Sequence, residues 1–224
     1  MRFFKYSILT TLAILFASFK VQTTQQMLYL PLGDSYTICT GASANEAWPK
    51  LLTQHLNDAK IKTTLLDNPA RNGFSTQNLI DRELPLLKKL KPNFVTLLIG
   101  VNDWVREVPT ATFEKNLIFI INEVQNQLPD KTKLILITIP DFGVTPTGKG
   151  YGAGRNISKG ILEFNTIIIN QAKKYNLQVV DIFDVSKKMK DDATLVANDG
   201  LHPSAKEYAE WEKLILPVTV KLLK

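Results

Sequence analysis

Apolar residues along this chain fall into two alternating kinds of segment. Short, nearly unbroken runs occur at Met27–Leu32, Ile61–Leu66, Phe94–Ile99, Lys133–Ile139 and Gln178–Phe183, each bounded by Gly, Pro, Asn or Asp. Such runs predict strands buried on both faces, as in a parallel sheet. Between them the apolar positions repeat at helical spacing. Phe113, Leu117, Ile120, Ile121, Val124 and Leu128 share one face, with Pro109 suited to a first turn. Ile157, Ile161, Phe164, Ile168 and Tyr175 do the same in the next interval, and Trp48–Leu56, Thr76–Leu90 and Ser204–Leu216 are further helices. Pro85 predicts a kink or division in the second of these three, and Pro217 one in the last. The alternation predicts an α/β fold, one parallel sheet covered on both faces by right-handed crossovers. In such sheets ligands sit beyond the carboxyl ends of the strands. Ser35, Asn102 and the Pro140–Asn156 loop follow strands directly, so chemistry is expected there.

Composition changes this picture little. A chain of 224 residues, 45% hydrophobic and 21% charged, has the profile of one globular domain. The charge of +6 is partly local, because residues 1–24 hold Arg2, Lys5 and Lys20 and no acid; a chain starting at Gln25 carries +3. Basic residues are otherwise scattered, with no arginine-rich stripe, which argues against a nucleic-acid partner. Arg2 and Lys5 precede an uncharged, largely apolar run from Tyr6 to Phe19, shorter than the ~20 residues of a membrane span. Residues 1–24 are therefore read as a signal peptide and 25–224 as the domain, exported to the periplasm or secreted. An uncleaved N-terminal anchor is the alternative, since Val21-Gln22-Thr23 is only a loose cleavage pattern. The single cysteine, Cys39, cannot form an intrachain disulfide.

Four short motifs carry candidate chemistry. Gly33-Asp34-Ser35 comes where the first strand must turn, and serine there projects at the strand end. Arg71-Asn72-Gly73-Phe74-Ser75-Thr76 follows the second strand; Gly73 could direct its N–H at an anion, or Ser75 or Thr76 could simply cap a helix. Ile99-Gly100-Val101-Asn102-Asp103 follows the third strand, and a neutral asparagine amide suits an oxyanion. Asp103 alternatively caps the following segment. Asp199-Gly200-Leu201-His202-Pro203 sets a carboxylate three residues before an imidazole, a spacing that lets the acid bond Nδ1 and leaves Nε2 to accept a proton. With only His55 and His202 in the chain, few bases are available. Taken singly, the first two motifs read more readily as ordinary turns and the third reads equally either way; together the four supply a nucleophile, a base, an acid and oxyanion donors.

These four blocks resemble those of the SGNH hydrolases, the GDSL-type serine esterases and lipases, over roughly residues 28–216. The resemblance implies a three-layer α/β/α flavodoxin-like fold with strand order 2-1-3-4-5. It implies a Ser35–His202–Asp199 triad and an oxyanion hole of the Ser35 N–H, the Gly73 N–H and the Asn102 side chain. Cys39 departs from the glycine many relatives carry and is read as a small packed residue. The implied activity is cleavage of acyl esters through an acyl-enzyme, as a carboxylesterase or lysophospholipase-like enzyme, or as an O-acetyl esterase on carbohydrate. A non-catalytic flavodoxin-like binder is the rival class, but it gives no reason for the Asp199–His202 pair. No cofactor is implied, and no cluster has metal-ligand spacing.

The remaining candidates are secondary. Trp104 and Val105 could line an acyl pocket or only cover the sheet end, and Tyr151 could contact substrate. Residues 141–155, with five glycines, form a loop long for a crossover and read equally as a rim or as an inert surface loop. His55 is expected to be solvated, and Asp34 to stabilise its turn. Peripheral membrane contact is compatible with a lipid ester. Oligomeric state is not encoded legibly.

Overall fold

The structure, a computed structural model, describes residues 26–224; the segment read above as an export signal or anchor lies outside the described residues. Five parallel strands, β1 (Met27–Gly33), β2 (Thr63–Leu65), β3 (Phe94–Leu98), β4 (Leu134–Ile137) and β5 (Gln178–Val180), form one sheet in the order β2-β1-β3-β4-β5. The helices are α1 (Ser35–Ile38), α2 (Trp48–Asp58), α3 (Thr76–Arg82), α4 (Leu84–Leu90), α5 (Val101–Val105), α6 (Thr110–Gln127), α7 (Ile157–Lys174), α8 (Phe183–Ser186) and α9 (Ala205–Leu223). Helices α2 and α9 pack on each other, while α3 and α4 pack on α6 and α6 on α7. Right-handed crossovers from a first strand inside the sheet produce this division into two covering layers. The expected flavodoxin-like arrangement and strand order are therefore present.

The inner strands are apolar because both faces are covered. Leu30, Leu32, Val95, Leu98, Leu134 and Ile135 are fully buried, each worth roughly 1.5–3 kcal/mol relative to exposure. A proline inside β1, Pro31, fits for a directional reason. Met27 N–H donates to Lys62 and the Tyr29 carbonyl accepts from Leu66, so odd-numbered residues of β1 face β2. The β2 ladder ends at Leu65, and the donor that Pro31 lacks points past it.

Boundaries differ from expectation where side chains intervene. The fifth apolar run predicts a strand continuing to Phe183, but β5 stops at Val180. Asp181 Oδ1 accepts from Thr138 Oγ1 and from the Phe183 N–H, turning the chain into α8. Thr76–Leu90 divides as the proline predicts: Glu83 separates α3 from α4, and Pro85 occupies the first turn of α4. Pro217, by contrast, does not divide α9. The carbonyl it leaves unpaired belongs to Lys213, which is exposed, while Ile215 and Thr219 hold the opposite face in the core. His55 is not merely solvated: its Nδ1 lies 3.0 Å from Oε1 of the buried Glu212, joining α2 to α9.

Candidate active site

The turn after β1 is built around buried acids. Asp34 caps α1 by accepting from the Tyr36 N–H, which places Ser35 in the first helical position at the carboxyl end of the sheet. Glu83 Oε2 accepts from the Gly33 N–H at 2.9 Å. At Gly33 a Cβ would fall 2.2 Å from the Leu98 carbonyl oxygen, so only glycine lets β1 approach β3 this closely. Asp34 and Glu83 are both fully buried, and each leaves one carboxyl oxygen without a partner. Burial pushes Asp34 up to about 8, against the Tyr36 N–H and with Asp103 adding to the rise. Glu83 also moves up to about 8 through burial, opposed by the Gly33 N–H and assisted by Asp34. Asp34 thus does stabilise the turn, as expected, but inside a carboxyl cluster that neighbouring sequence does not announce.

Asn102 stands at the second position of α5. Its Nδ2 donates to the Phe74 carbonyl at 2.9 Å, leaving the second amide hydrogen free of that bond. Asp103 does not cap its own segment. It reaches across to α3, accepting from the Thr76 N–H at 2.8 Å and from Thr76 Oγ1 at 2.5 Å. Ser75 forms a reciprocal capping box with Asn78, so the helix-capping reading of that motif is also realised. Gly73 has φ +78, a conformation that favours glycine, and its carbonyl accepts from Arg106 Nη2 at 2.6 Å. Neither the Ser35 N–H nor the Gly73 N–H has a hydrogen-bond partner among the described residues.

His202 is carried by a closed loop. The Ala197 N–H donates to the His202 carbonyl, Val196 bridges Pro203, and the Gly200 N–H donates to Ala197. Asp199 uses both oxygens. Oδ1 accepts from the Leu201 and His202 backbone N–H groups, both at 2.9 Å, and Oδ2 meets His202 Nδ1 at 2.6 Å. Partial burial raises the Asp199 carboxyl, but the imidazole and the two backbone donors outweigh it and hold the group below the usual carboxylate range. Gly200, at φ +71, sits against Thr147, whose hydroxyl donates to the Asp199 carbonyl at 3.1 Å.

Ser35, Asn102 and His202 line one small pocket of about 60 Å³, together with Tyr36, Val101, Val105, Phe142, Tyr151 and Leu201. Chain segments nearly the whole domain apart are therefore brought to a common wall. No hydrogen bond joins Ser35 Oγ to the imidazole; such contacts are often long in a resting site and tighten around the reacting complex. Gly73 is not part of the lining, and it joins the site through Phe74 and Asn102. Tyr151 is on the wall. Trp104 is not among the lining residues: it is buried, T-shaped against Phe142 and covered by the Arg155 guanidinium. The loop at 141–155 is folded into two short 3-10 turns, Phe142–Val144 and Gly148–Gly152. It contributes Phe142 and Tyr151 to the lining of this pocket. Tyr36 and Leu201 were visible only as neighbours of Ser35 and His202. Phe142 stood out only as an aromatic residue of the glycine-rich 141–155 segment, because its aromatic contacts cross between elements. Cys39 is buried at the end of α1, and burial pushes its thiol far up, consistent with a packed residue.

The arrangement offers a hydroxyl at a helix start, an imidazole bonded to a carboxylate, and an asparagine amide on the wall of one pocket. Those are the parts needed for acyl transfer. Residues 32–209 match the family model of the GDSL-like lipase/acylhydrolase family. A multidomain esterase of Ruminococcus flavefaciens is 32% identical over 127 residues, covering 57% of this chain and 15% of that protein. The thioesterase 1/protease 1/lysophospholipase L1 of Escherichia coli K12 is 27% identical over 175 residues, 78% of this chain and 74% of that one. In fold, the lipase/acylhydrolase of Enterococcus faecalis superposes with a TM-score of 0.71 at 24% identity, over 89% of this chain and 98% of the other.

Proposed function

This chain belongs to the GDSL-like lipase/acylhydrolase family, and from that premise we propose that it is a serine hydrolase of short-chain carboxylic esters. Ser35 Oγ attacks the acyl carbon while His202 Nε2 takes its proton. The Ser35 N–H, the Gly73 N–H and the free Asn102 amide hydrogen receive the negative charge that builds on the carbonyl oxygen. His202 returns the proton to the departing alcohol as the carbon–oxygen bond breaks. Water then repeats the sequence on the acyl-enzyme, releasing the acid. Asp199 fixes the imidazole with Nδ1 as donor and stabilises the imidazolium formed in each step.

The observation carrying this reading is the shared pocket of Ser35, Asn102 and His202, with the 2.6 Å Asp199–His202 bond behind it. Its volume of about 60 Å³ is far below that of sites enclosing drug-sized ligands, roughly 300–1,000 Å³. That favours an acetyl or other short acyl group over a long lipid chain. An acetyl group on carbohydrate fits the same slot, so the carbohydrate O-acetyl esterase is the second reading. Rates on p-nitrophenyl esters of increasing length, set beside acetate release from acetylated xylan, separate the two. Hydrolysis of p-nitrophenyl acetate by the wild type, lost in Ser35→Ala, is the basic test; wild-type turnover in that variant rejects the nucleophile.

Export directed by residues 1–24 is part of the proposal, supported by the basic start and the short apolar run. The intact mass of protein recovered outside the cytoplasm tests it: a chain retaining its first 24 residues contradicts cleavage.

A further inference from the structure

Arg155 does not touch the pocket, yet it ties together two segments that form its wall. Its Nη1 donates to the Trp104 carbonyl at 2.9 Å and its Nη2 to the Val105 carbonyl at 3.3 Å. These are the last carbonyls of α5; that of Trp104 also accepts from the Glu107 N–H at 3.1 Å, so the guanidinium adds a second donor there and reinforces the helix end. Its Nε donates to the Gly152 carbonyl at 3.1 Å, within the turn that presents Tyr151. The guanidinium carbon also stands 4.1 Å from the Trp104 ring centre, a stacked cation–π contact. Trp104 itself is seated in a slot at Gly160 of α7, where a Cβ would come within 1.9 Å of its indole nitrogen. Phe142 continues the chain of contacts, meeting Trp104 edge-on at 6.0 Å and Tyr151 at 6.4 Å. Val105 and Tyr151, the two wall residues so connected, both face the slot that holds Ser35.

We infer that Arg155 is a specificity-determining positioning residue, a latch that holds α5 against the Tyr151 turn and thereby closes the pocket to long acyl chains. This inference rests on the esterase reading of the Ser35 site. The three hydrogen bonds from Arg155 to the two segments all end on backbone carbonyls, and its Nη2 also lies 3.8 Å from Oε1 of the exposed Glu107; none of these contacts uses a side chain of the pocket wall. The forked guanidinium matters because three donors must reach three carbonyls at fixed angles; a lysine ammonium reaches one or two of them. A charge holding only surface structure would not connect the two sides of one substrate slot.

The test is the chain-length profile of Arg155→Ala and Arg155→Lys on p-nitrophenyl acetate through octanoate. Loss of the latch lets Val105 and Tyr151 separate, so kcat/KM for octanoate relative to acetate rises about tenfold or more in Arg155→Ala, the scale on which a pocket discriminates a few methylenes. Arg155→Lys shifts the ratio in the same direction but less. A uniform fall on all esters, or an unchanged ratio, overturns the latch and leaves Arg155 a structural residue. Tyr151→Ala opens the same wall without touching the guanidinium, so it keeps the test decisive if Arg155→Ala does not fold; no shift toward octanoate in Tyr151→Ala also overturns the inference. Wild-type hydrolysis that Ser35→Ala fails to abolish signals failure of the esterase reading instead.

Discussion

Replacing Asp199 separates geometry from charge in a way this loop makes unusually sharp. Asp199 Oδ1 is occupied by two backbone N–H groups, and Oδ2 by His202 Nδ1. In Asp199→Asn the one remaining oxygen is drawn to the two backbone donors, which leaves the amide NH2 facing Nδ1. That nitrogen must then accept, so the proton moves to Nε2 and the imidazole can no longer act as base toward Ser35. In Asp199→Ala the ring loses its partner but water can fill the gap, because the Asp199 side chain is 43% exposed. A hydrogen bond to a charged group contributes about 1.5–3 kcal/mol, so alanine costs roughly 10–10² in kcat. Asparagine, the closer isostere, adds the wrong tautomer and costs more, toward the ~10⁴-fold loss that the equivalent change causes in a serine-protease triad. The assay is kcat on p-nitrophenyl acetate, with thermal melts confirming that both variants fold. Asparagine retaining more activity than alanine, or either variant staying within twofold of wild type, refutes the assigned geometry.

Other substitutions probe the remaining parts. Asn102→Ala removes one side-chain oxyanion donor and lowers kcat about 10²–10³-fold with little change in KM; a loss under tenfold removes Asn102 from the oxyanion hole. The buried acids give a pH prediction. Asp34 and Glu83 titrate near 8 when folded, raised by burial from near 4. Across that window the unfolded chain binds fewer protons, so their contribution is fully present below pH about 4 and is lost as pH rises through about 8. Glu83→Gln removes one of the two, flattening the decline by up to roughly 1.4 kcal/mol per pH unit; urea midpoints that fall as steeply as in wild type between pH 5 and 8 contradict it. Gly160→Ala drives a methyl into the Trp104 slot and destabilises by about 1–3 kcal/mol, read as a lowered melting temperature; an unchanged melt means that the indole moves freely.

What the sequence made legible was whatever is local. The three inner strands were visible because a doubly covered strand must be apolar at successive positions, the edge strands β2 and β5 only through the apolar residues that flank or end them, and the Asp199–His202 pair because three-residue spacing sets its geometry. The split at Glu83 followed from Pro85. Pro217 misled because its cost falls on one carbonyl, and Lys213 happens to present that carbonyl to water. Trp104 looked like a pocket residue from its place after Asn102. Its actual seat depends on Gly160, 56 positions on, whose missing side chain has no meaning until α7 is laid beside α5. Glu83 under Gly33, Asp103 across to Thr76 and Arg155 over Trp104 share that character. Each is a polar residue in an ordinary sequence context whose partner is fixed only by the sheet order.

A fluorophosphonate probe applied to the purified protein, followed by peptide mapping, bears most directly on whether distant segments assemble an activated hydroxyl. One adduct per chain on the peptide bearing Ser35, absent in Ser35→Ala and formed far more slowly in His202→Ala, is the predicted outcome. No adduct, or an adduct on another residue at equal rate, means that the pocket does not generate a nucleophile at that position.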